Sequence, residues 1–167
     1  MRAFDLVDMA KKYKGELHEF YLDMKAWSSF KTKASLNWHK VEFRPENHSA
    51  VPKQPGIYAF SCEHRGTKLP PHGYILYVGI TGDEDSAATL HSRYAQYVRH
   101  QSTKQGRPAV VYMLVNWANH LSFYFCPIVN SKISLKGIEK RMINSLLPPI
   151  NKRDFDAEIT AIRAAAF

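Results

Sequence analysis

The chain has 167 residues, a length typical of one globular domain with at most an appended terminal segment. Its content of 45% hydrophobic and 13% aromatic residues is enough to bury a core, which argues against an intrinsically disordered protein. Lys and Arg number 23 against 15 Asp and Glu, giving a formal net charge of +8, so we expect attraction to polyanions such as nucleic acid.

Cysteine usage and hydropathy indicate the expected compartment. Cys62 and Cys126 lie far apart and form no CxxC motif, which favours a reducing environment without a disulfide framework. Residues 1–16 carry charges throughout, unlike a secretory signal, and no run of about 18 apolar residues occurs. We therefore expect a cytoplasmic protein with no membrane partner. The oligomeric state is left open.

The first predicted element is a helix over residues 4–27, where apolar residues recur at spacings of three and four. Residues 28–55 are rich in turn-forming residues and are predicted to be irregular, although Trp38, Val41 and Phe43 are compatible with a short strand.

From residue 56 the pattern changes to strands and helices in alternation. Two runs rich in β-branched and aromatic residues, 56–63 and 74–81, predict a hairpin closed by a loop over 64–73. The remaining predicted elements are a helix over 87–100, a helix beginning at Pro108, a strand over 121–129, a helix over 134–149 and a short C-terminal helix. This order predicts an α+β fold with a small antiparallel sheet covered by helices.

The hairpin and the helix after it carry residues suited to phosphodiester hydrolysis. That reaction needs a group that orients or deprotonates water and a cation that neutralises the phosphoryl oxygens. Tyr58 and Tyr77 each lie in a glycine-containing tripeptide of the hairpin, and Arg93 is followed one turn later by Tyr97 on the same helix face. These four side chains are the first candidates for a catalytic site.

The later helix adds a candidate metal ligand. Glu139 is a carboxylate in a basic and apolar stretch, and Mg²⁺ commonly binds through a single protein carboxylate while keeping several waters. Asn151 follows two prolines that restrict the backbone before it. Glu139 is therefore the predicted metal residue, and Asn151 joins the candidate site.

In this order, the residues resemble the GIY-YIG nuclease family. Residues 56–58, Gly-Ile-Tyr, match the first tripeptide of the family, and residues 77–79, Tyr-Val-Gly, resemble the second. Residues 90–93 are similar to the helix segment that bears the catalytic arginine of the family. Residues 138–139 are similar to the segment that bears its metal-binding glutamate, and residues 149–151 resemble its Pro-x-Asn ending.

The resemblance covers about residues 51–155, the expected catalytic domain, and implies a three-stranded antiparallel sheet flanked by helices. Residues 1–50 would then form a helical or irregular N-terminal extension, and residues 156–167 a C-terminal helix. The strands are expected near 56–62, 74–80 and 121–128, and the flanking helices near 87–100 and 135–147.

The resemblance also implies endonucleolytic hydrolysis of DNA with one divalent ion, Mg²⁺ or Mn²⁺. Tyr58 would activate or hold the attacking water with help from Tyr77, and Arg93 would bind the scissile phosphate. Glu139 would hold the metal, and Asn151 would support the site through hydrogen bonds.

Two positions depart from the pattern of the family. Ile80 and Thr81 follow the second tripeptide where many members have a lysine, and Tyr97 stands where many have a histidine. A phenol ordinarily titrates near pH 10 and is a poor base unless a cation lowers its pKa. The general base is therefore open between Tyr58, assisted by a cation, and a substitute role for Tyr97.

The N-terminal extension is the predicted nucleic-acid contact. Lys31, Lys33 and Lys40 lie among aromatic residues, a mixture expected where a protein meets phosphates and bases. The alternative is that this segment only covers the core and that DNA runs over the helix bearing Arg93 and Arg99.

Two other functions stay open at this point. Taken singly, each candidate is more often a packing or solvated residue, and only the whole set in order favours an enzyme. A module of the same fold that binds nucleic acid without cutting it is one alternative, and an RNA nuclease is the other.

Overall fold

An antiparallel sheet with helices on both faces organises the chain. The computed structural model describes residues 20, 22–66, 68–83 and 86–151. The elements in chain order are α1 (Met24–Ser29), β1 (His39–Glu42), a 3₁₀ helix (Pro45–Ala50), β2 (Gly56–His64), β3 (His72–Thr81), α2 (Leu90–Thr103), α3 (Pro108–Asn116), a second 3₁₀ helix (Ala118–His120), β4 (Leu121–Pro127) and α4 (Leu135–Leu146). The strands pair in the order β1-β4-β2-β3, and all three pairings are antiparallel.

The predicted α+β class and the central hairpin are confirmed, but the sheet has four strands rather than three. The additional strand is β1, which pairs with the edge of β4 that β2 leaves free. Its sequence gives a weak strand signal because only Val41 of its four residues is partly buried. Phe43, directly after it, is buried among the aromatic residues of the core and helps to hold β1 in place.

The two faces of the sheet bury different side chains, as alternation along the strands requires. Tyr58 and Phe60 face α2 and α3 in an aromatic cluster. Ile57 and Ala59 face α4 in a smaller aliphatic cluster. β3 is an edge strand, and α4 packs against it while α2 packs against β2.

Where the structure describes it, the predicted helix over 4–27 is confirmed for residues 24–27, which lie in α1, and is wrong for residues 20, 22 and 23. Leu22 and Asp23 are not helical, and α1 begins at Met24 with the Asp23 carboxylate accepting a hydrogen bond from the Ala26 amide at 2.9 Å. Aspartate is strongly favoured as the residue that caps the start of a helix, which fixes the beginning of α1 here. The rest of that prediction, and the predicted C-terminal helix over 156–167, lie outside the described residues.

The later elements follow the prediction closely. α2 runs to Thr103, and its N-cap Thr89 exchanges hydrogen bonds with Ser92 in a capping box. α3 begins at Pro108, which confirms the helix predicted to begin at that residue. None of the helices in the described part of the chain is long and apolar enough to cross a membrane.

Candidate active site

A cavity of about 230 Å³ lies beside the outer edge of the sheet and is lined by residues from β2, β3, α2, α3 and α4. Five of the six residues predicted for the catalytic site line it. They are separated by as many as 81 positions in the sequence, counting from Tyr58 to Glu139. The lining residues are Tyr58, Tyr77, Ile80, Arg93, Gln96, Tyr97, His100, Arg107, Val110 and Glu139.

Three tyrosines form the inner wall of the cavity. The hydroxyl groups of Tyr58 and Tyr97 are hydrogen-bonded at 2.8 Å, and the Tyr77 ring centroid lies 6.2 Å from that of Tyr58. Only 2% of Tyr58, 5% of Tyr97 and 7% of Tyr77 is exposed. The phenol groups are thus held by packing before any ligand arrives.

The glycine of the second tripeptide allows this packing. Gly79 lies directly across from Tyr58 in the β2–β3 pairing. A Cβ atom on Gly79 would stand 2.6 Å from Tyr58 Cζ, closer than real Cβ contacts allow. The Tyr58 ring therefore crosses the neighbouring strand only because residue 79 has no side chain.

Burial controls the protonation of the phenol groups. Loss of solvent raises the pKa of Tyr58 far above its usual range, and the hydrogen bond from Tyr97 and the charge of Arg93 offset this only in part. Burial likewise raises the pKa of Tyr97, and the neighbouring Tyr58 raises it further. Both groups are hydrogen-bond donors at neutral pH.

Arg93 reaches the cavity from α2, and only part of its guanidinium group is hydrogen-bonded within the described residues. Nη1 donates to Gln96 Oε1 at 2.7 Å, one turn along the helix. The buried Nε has no partner among the described residues. A buried donor without an acceptor is rare in native proteins, and a ligand oxygen in the cavity would satisfy it.

His100 and Arg107 line the cavity but are absent from the predicted catalytic set. The His100 ring packs against Gly106, whose φ of 139° brings the backbone close, and its buried Nδ1 has no partner in the described part of the chain. Burial lowers the pKa of His100, and the charges of Arg99 and Arg93 lower it further. The Arg107 guanidinium carbon lies 5.8 Å from the centroid of the Tyr77 ring.

A sequence signal exists for one of these additions but not for the other. Gln96 and His100 lie three and seven positions after Arg93, so helical periodicity places them on its face of α2. Arg107 lies in the connection before α3, where no periodic pattern applies. Its place beside Tyr77 depends on how α3 packs.

Glu139 is the carboxylate of the cavity lining. It lies on α4, the helix on the other side of the sheet edge from Arg93, and its charge raises the pKa of Tyr58. Among the described residues, no group of three or more His, Cys, Asp or Glu side chains is placed to hold a metal ion.

Asn151 does not line the cavity. Its Oδ1 accepts from the Val78 amide at 2.9 Å, and its Nδ2 donates to the Val78 carbonyl at 2.9 Å. The Ile150 amide donates to the Leu76 carbonyl at 3.0 Å. The segment thus pairs with the outer edge of β3 and fixes Tyr77 and Gly79 on either side of Val78.

The residues predicted to contact nucleic acid fall in different places. Arg93 lines the cavity, whereas Arg99 is exposed on α2. Lys31 and Lys33 are exposed in the segment between α1 and β1. Lys40 lies on β1 and forms an ion pair with Glu63 at 3.1 Å, so part of its charge is already balanced.

The fold brings the sequence motifs together at one edge of the sheet. The tripeptides at 56–58 and 77–79 lie side by side in the sheet, and the arginine and glutamate motifs come from the helices on either side of its edge. No family model, no curated protein and no solved structure matches the chain.

Proposed function

We propose that the protein is a metal-dependent endonuclease that hydrolyses phosphodiester bonds in DNA, with a GIY-YIG-like catalytic domain. One observation carries the proposal: Tyr58, Tyr77, Arg93, Tyr97 and Glu139, dispersed in the sequence, all line one small cavity. Each of them alone has an ordinary structural explanation. Five residues named from their order in the chain would not be expected to converge if they served packing alone.

The shape and charge of the cavity support a phosphodiester substrate. A volume of about 230 Å³ suits a single phosphodiester group rather than a whole duplex. Arg93 and Arg107 approach it from two different elements. Two guanidinium groups in a partly desolvated cavity stabilise the charge that develops on phosphoryl oxygens during attack.

The tyrosines suit positioning of the attacking water. Because burial raises the pKa of Tyr58 and of Tyr97, neither phenol carries the negative charge that a base needs near neutral pH. A protonated phenol accepts and donates hydrogen bonds and so can hold a water molecule in line with the phosphorus atom. Of the two roles that the resemblance implied for Tyr58, the geometry favours holding the water.

The donor set fits a hard, largely hydrated cation. The carboxylate of Glu139 and the phenolic oxygens around it are oxygen donors, and Mg²⁺ or Mn²⁺ is commonly bound through one or two carboxylates together with substrate phosphate. When bound, such an ion polarises the phosphate and stabilises the leaving oxygen. Glu139 is the residue that would hold it.

Cleavage assays with plasmid, single-stranded and branched DNA test the proposal. We expect cleavage in Mg²⁺ or Mn²⁺, none in EDTA, and loss of metal-dependent cleavage in Glu139→Ala with a melting temperature close to that of the wild type. Glu46→Ala removes an exposed carboxylate that neither lines this cavity nor lies on α4, so it is the matched control and should cleave normally. Full activity of Glu139→Ala would place the metal elsewhere, and DNA binding without cleavage under every condition would favour a binding module. Preference for RNA in the same assay would redirect the proposal to an RNA nuclease.

A further inference from the structure

A second concave surface lies on the other side of α4 from the cavity. It has a volume of about 490 Å³ and is formed by three separate stretches of chain: the segment before β1, the loop before α4, and α4 itself. We call it the basic groove. Four cationic side chains define it: Lys31, Lys33, Lys132 and Arg141.

The cations of the basic groove have no partner of opposite charge among the described residues. No Asp or Glu of the described part of the chain lines the groove. None of the four forms an ion pair with a described residue, whereas Lys40 pairs with Glu63 and Lys136 pairs with Asp83. Four uncompensated charges on a concave surface produce a local positive potential that favours a polyanion.

The floor between the charges is apolar. Ile138 and Ile133 contribute to it, together with Ala34 of the segment before β1. The Arg141 guanidinium folds back toward the start of α4, since its Nη1 would lie 3.5 Å from a Cβ atom built on Gly137. An apolar floor with cationic walls suits a sugar–phosphate backbone, in which deoxyribose alternates with phosphate.

The groove and the cavity are related through the geometry of α4. Glu139 and Arg141 lie two positions apart, so their side chains point in directions about 200° apart around the helix axis. The helix between them is about 10–12 Å wide with its side chains. Lys140, exposed on the outer surface, points between those two directions. A nucleic acid bound on both sides would therefore cross a basic ridge.

We propose that the basic groove binds the phosphodiester backbone of duplex DNA and anchors it across α4 while another stretch of that backbone occupies the cavity. The occupant is DNA on the premise of the proposed function. The groove adds Lys132 and Arg141 to the residues that contact it. Neither belongs to the catalytic cavity, so both act on affinity and not on the chemical step.

The test measures binding in the absence of a metal ion. Fluorescence anisotropy of a labelled duplex in EDTA, over a series of KCl concentrations, gives the slope of log affinity against log salt. Each phosphate contact contributes about 0.9 to that slope. For Lys132→Ala/Arg141→Ala we expect the slope to flatten by about 1.8, with an unchanged melting temperature. A Lys132→Gln/Arg141→Gln variant replaces it if the alanine variant melts early.

The control removes the same charge elsewhere. Lys53→Ala/Lys68→Ala changes two exposed lysines that line neither the groove nor the cavity, and its slope should equal that of the wild type. Equal slopes for the groove variant and the wild type would overturn the proposal, as would a flattening confined to duplex RNA or a wild type that binds no DNA. If the groove variant flattens the salt slope but the wild type cleaves no DNA in Mg²⁺, the proposed DNA contact of the groove stands and the proposed nuclease function is wrong.

Discussion

At the scale of single residues, the environment of Arg93 gives the clearest support for a role in binding phosphate. Gln96 holds one end of its guanidinium group, while the buried Nε has no partner in the described part of the chain. A rigid, partly unsatisfied guanidinium is prepared for two parallel hydrogen bonds to a phosphate.

Replacing Arg93 should therefore be costly. We expect Arg93→Ala to lower kcat by about 10²–10³, the range found when one preorganised transition-state donor is removed. Arg93→Lys should recover little, because a point charge cannot make the planar contact. Single-turnover rates on a cleavable duplex measure this, with circular dichroism as the folding control. Equal rates for Arg93→Lys and the wild type would contradict a bidentate role.

His100 gives a prediction that needs no metal and no substrate. Burial and the charges of Arg99 and Arg93 place its pKa below the ordinary value, and Tyr58, Tyr77, Tyr97, Arg107 and Glu139 line the same cavity. As the pH falls, His100 therefore becomes protonated in the unfolded chain before it does in the folded protein. The contribution of neutral His100 to the free energy of unfolding is complete above about pH 6.5, the ordinary pKa of histidine. It is lost as the pH falls through the lower pKa of His100 in the folded protein.

An NMR titration of the histidine ring protons in metal-free protein measures that midpoint directly. We expect His100 to titrate below the ordinary value, and Arg99→Gln to move the midpoint upward because a nearby positive charge is removed. A wild-type midpoint at or above that of free histidine would show that the ring is more exposed than the structure places it.

At the scale of elements, Asn151 acts on β3 rather than on substrate. Its side chain is 1% exposed and makes both of its described bonds to the backbone of Val78. The Asn151 side-chain amide makes the two backbone hydrogen bonds that a neighbouring strand would otherwise make with Val78. We expect it to affect catalysis by holding Tyr77 and Gly79 in position.

Removing that amide should therefore lower stability as well as activity. Asn151→Ala leaves a buried N–H and a buried C=O of Val78 without partners, which costs about 1–3 kcal/mol each. Urea unfolding reports the loss, and hydrogen exchange at the Val78 amide localises it. Asn144→Ala, a half-buried asparagine on α4, is the comparison for a general effect of asparagine loss. Unchanged exchange at Val78 with lost activity would point to direct contact with substrate.

The elements differ in how far the sequence determines them. The hairpin, α2 and α4 carry strong local patterns, and a side chain caps the start of each of the two helices, so their places were predictable. The start of α3 was predictable from Pro108 in its first turn, although no side chain caps it. β1 was not, because its pairing follows from the free edge of β4 and not from its own four residues. Arg107 was missed for the same reason, since tertiary packing rather than local spacing brings it to Tyr77.

At the scale of the whole molecule, the cations behind the net charge of +8 differ in how far nearby carboxylates balance them. Some cations stabilise the fold: Lys40 forms the ion pair with Glu63, and the Glu63 carboxylate also accepts hydrogen bonds from Ser122 and Tyr124. That cluster raises the pKa of Lys40, chiefly through its hydrogen bond to Glu63. Lys31 and Lys33 form no ion pair with any residue that the structure describes.

The predicted DNA contact of Lys31, Lys33 and Lys40 can be divided on this basis. We expect the triple alanine variant to bind DNA more weakly and to flatten the salt slope. Lys31→Ala/Lys33→Ala should account for most of the change, since Lys40 is already neutralised in part. Salt titrations of the two variants, each with its melting temperature, make the comparison. An unchanged slope in the triple variant would leave the extension as structural and move the DNA path to the helix of Arg93 and Arg99.

The pairing of residues 150–151 with β3 has a consequence for solubility. An open sheet presents unpaired N–H and C=O groups along its outermost strands, and these recruit strands from other copies of a chain. Here Ile150 and Asn151 occupy the middle of one outer strand, and the opposite one, β1, has only four residues and carries Lys40. Removing the cover on β3 should therefore promote edge-to-edge aggregation in concentrated solution, even where the remaining fold survives.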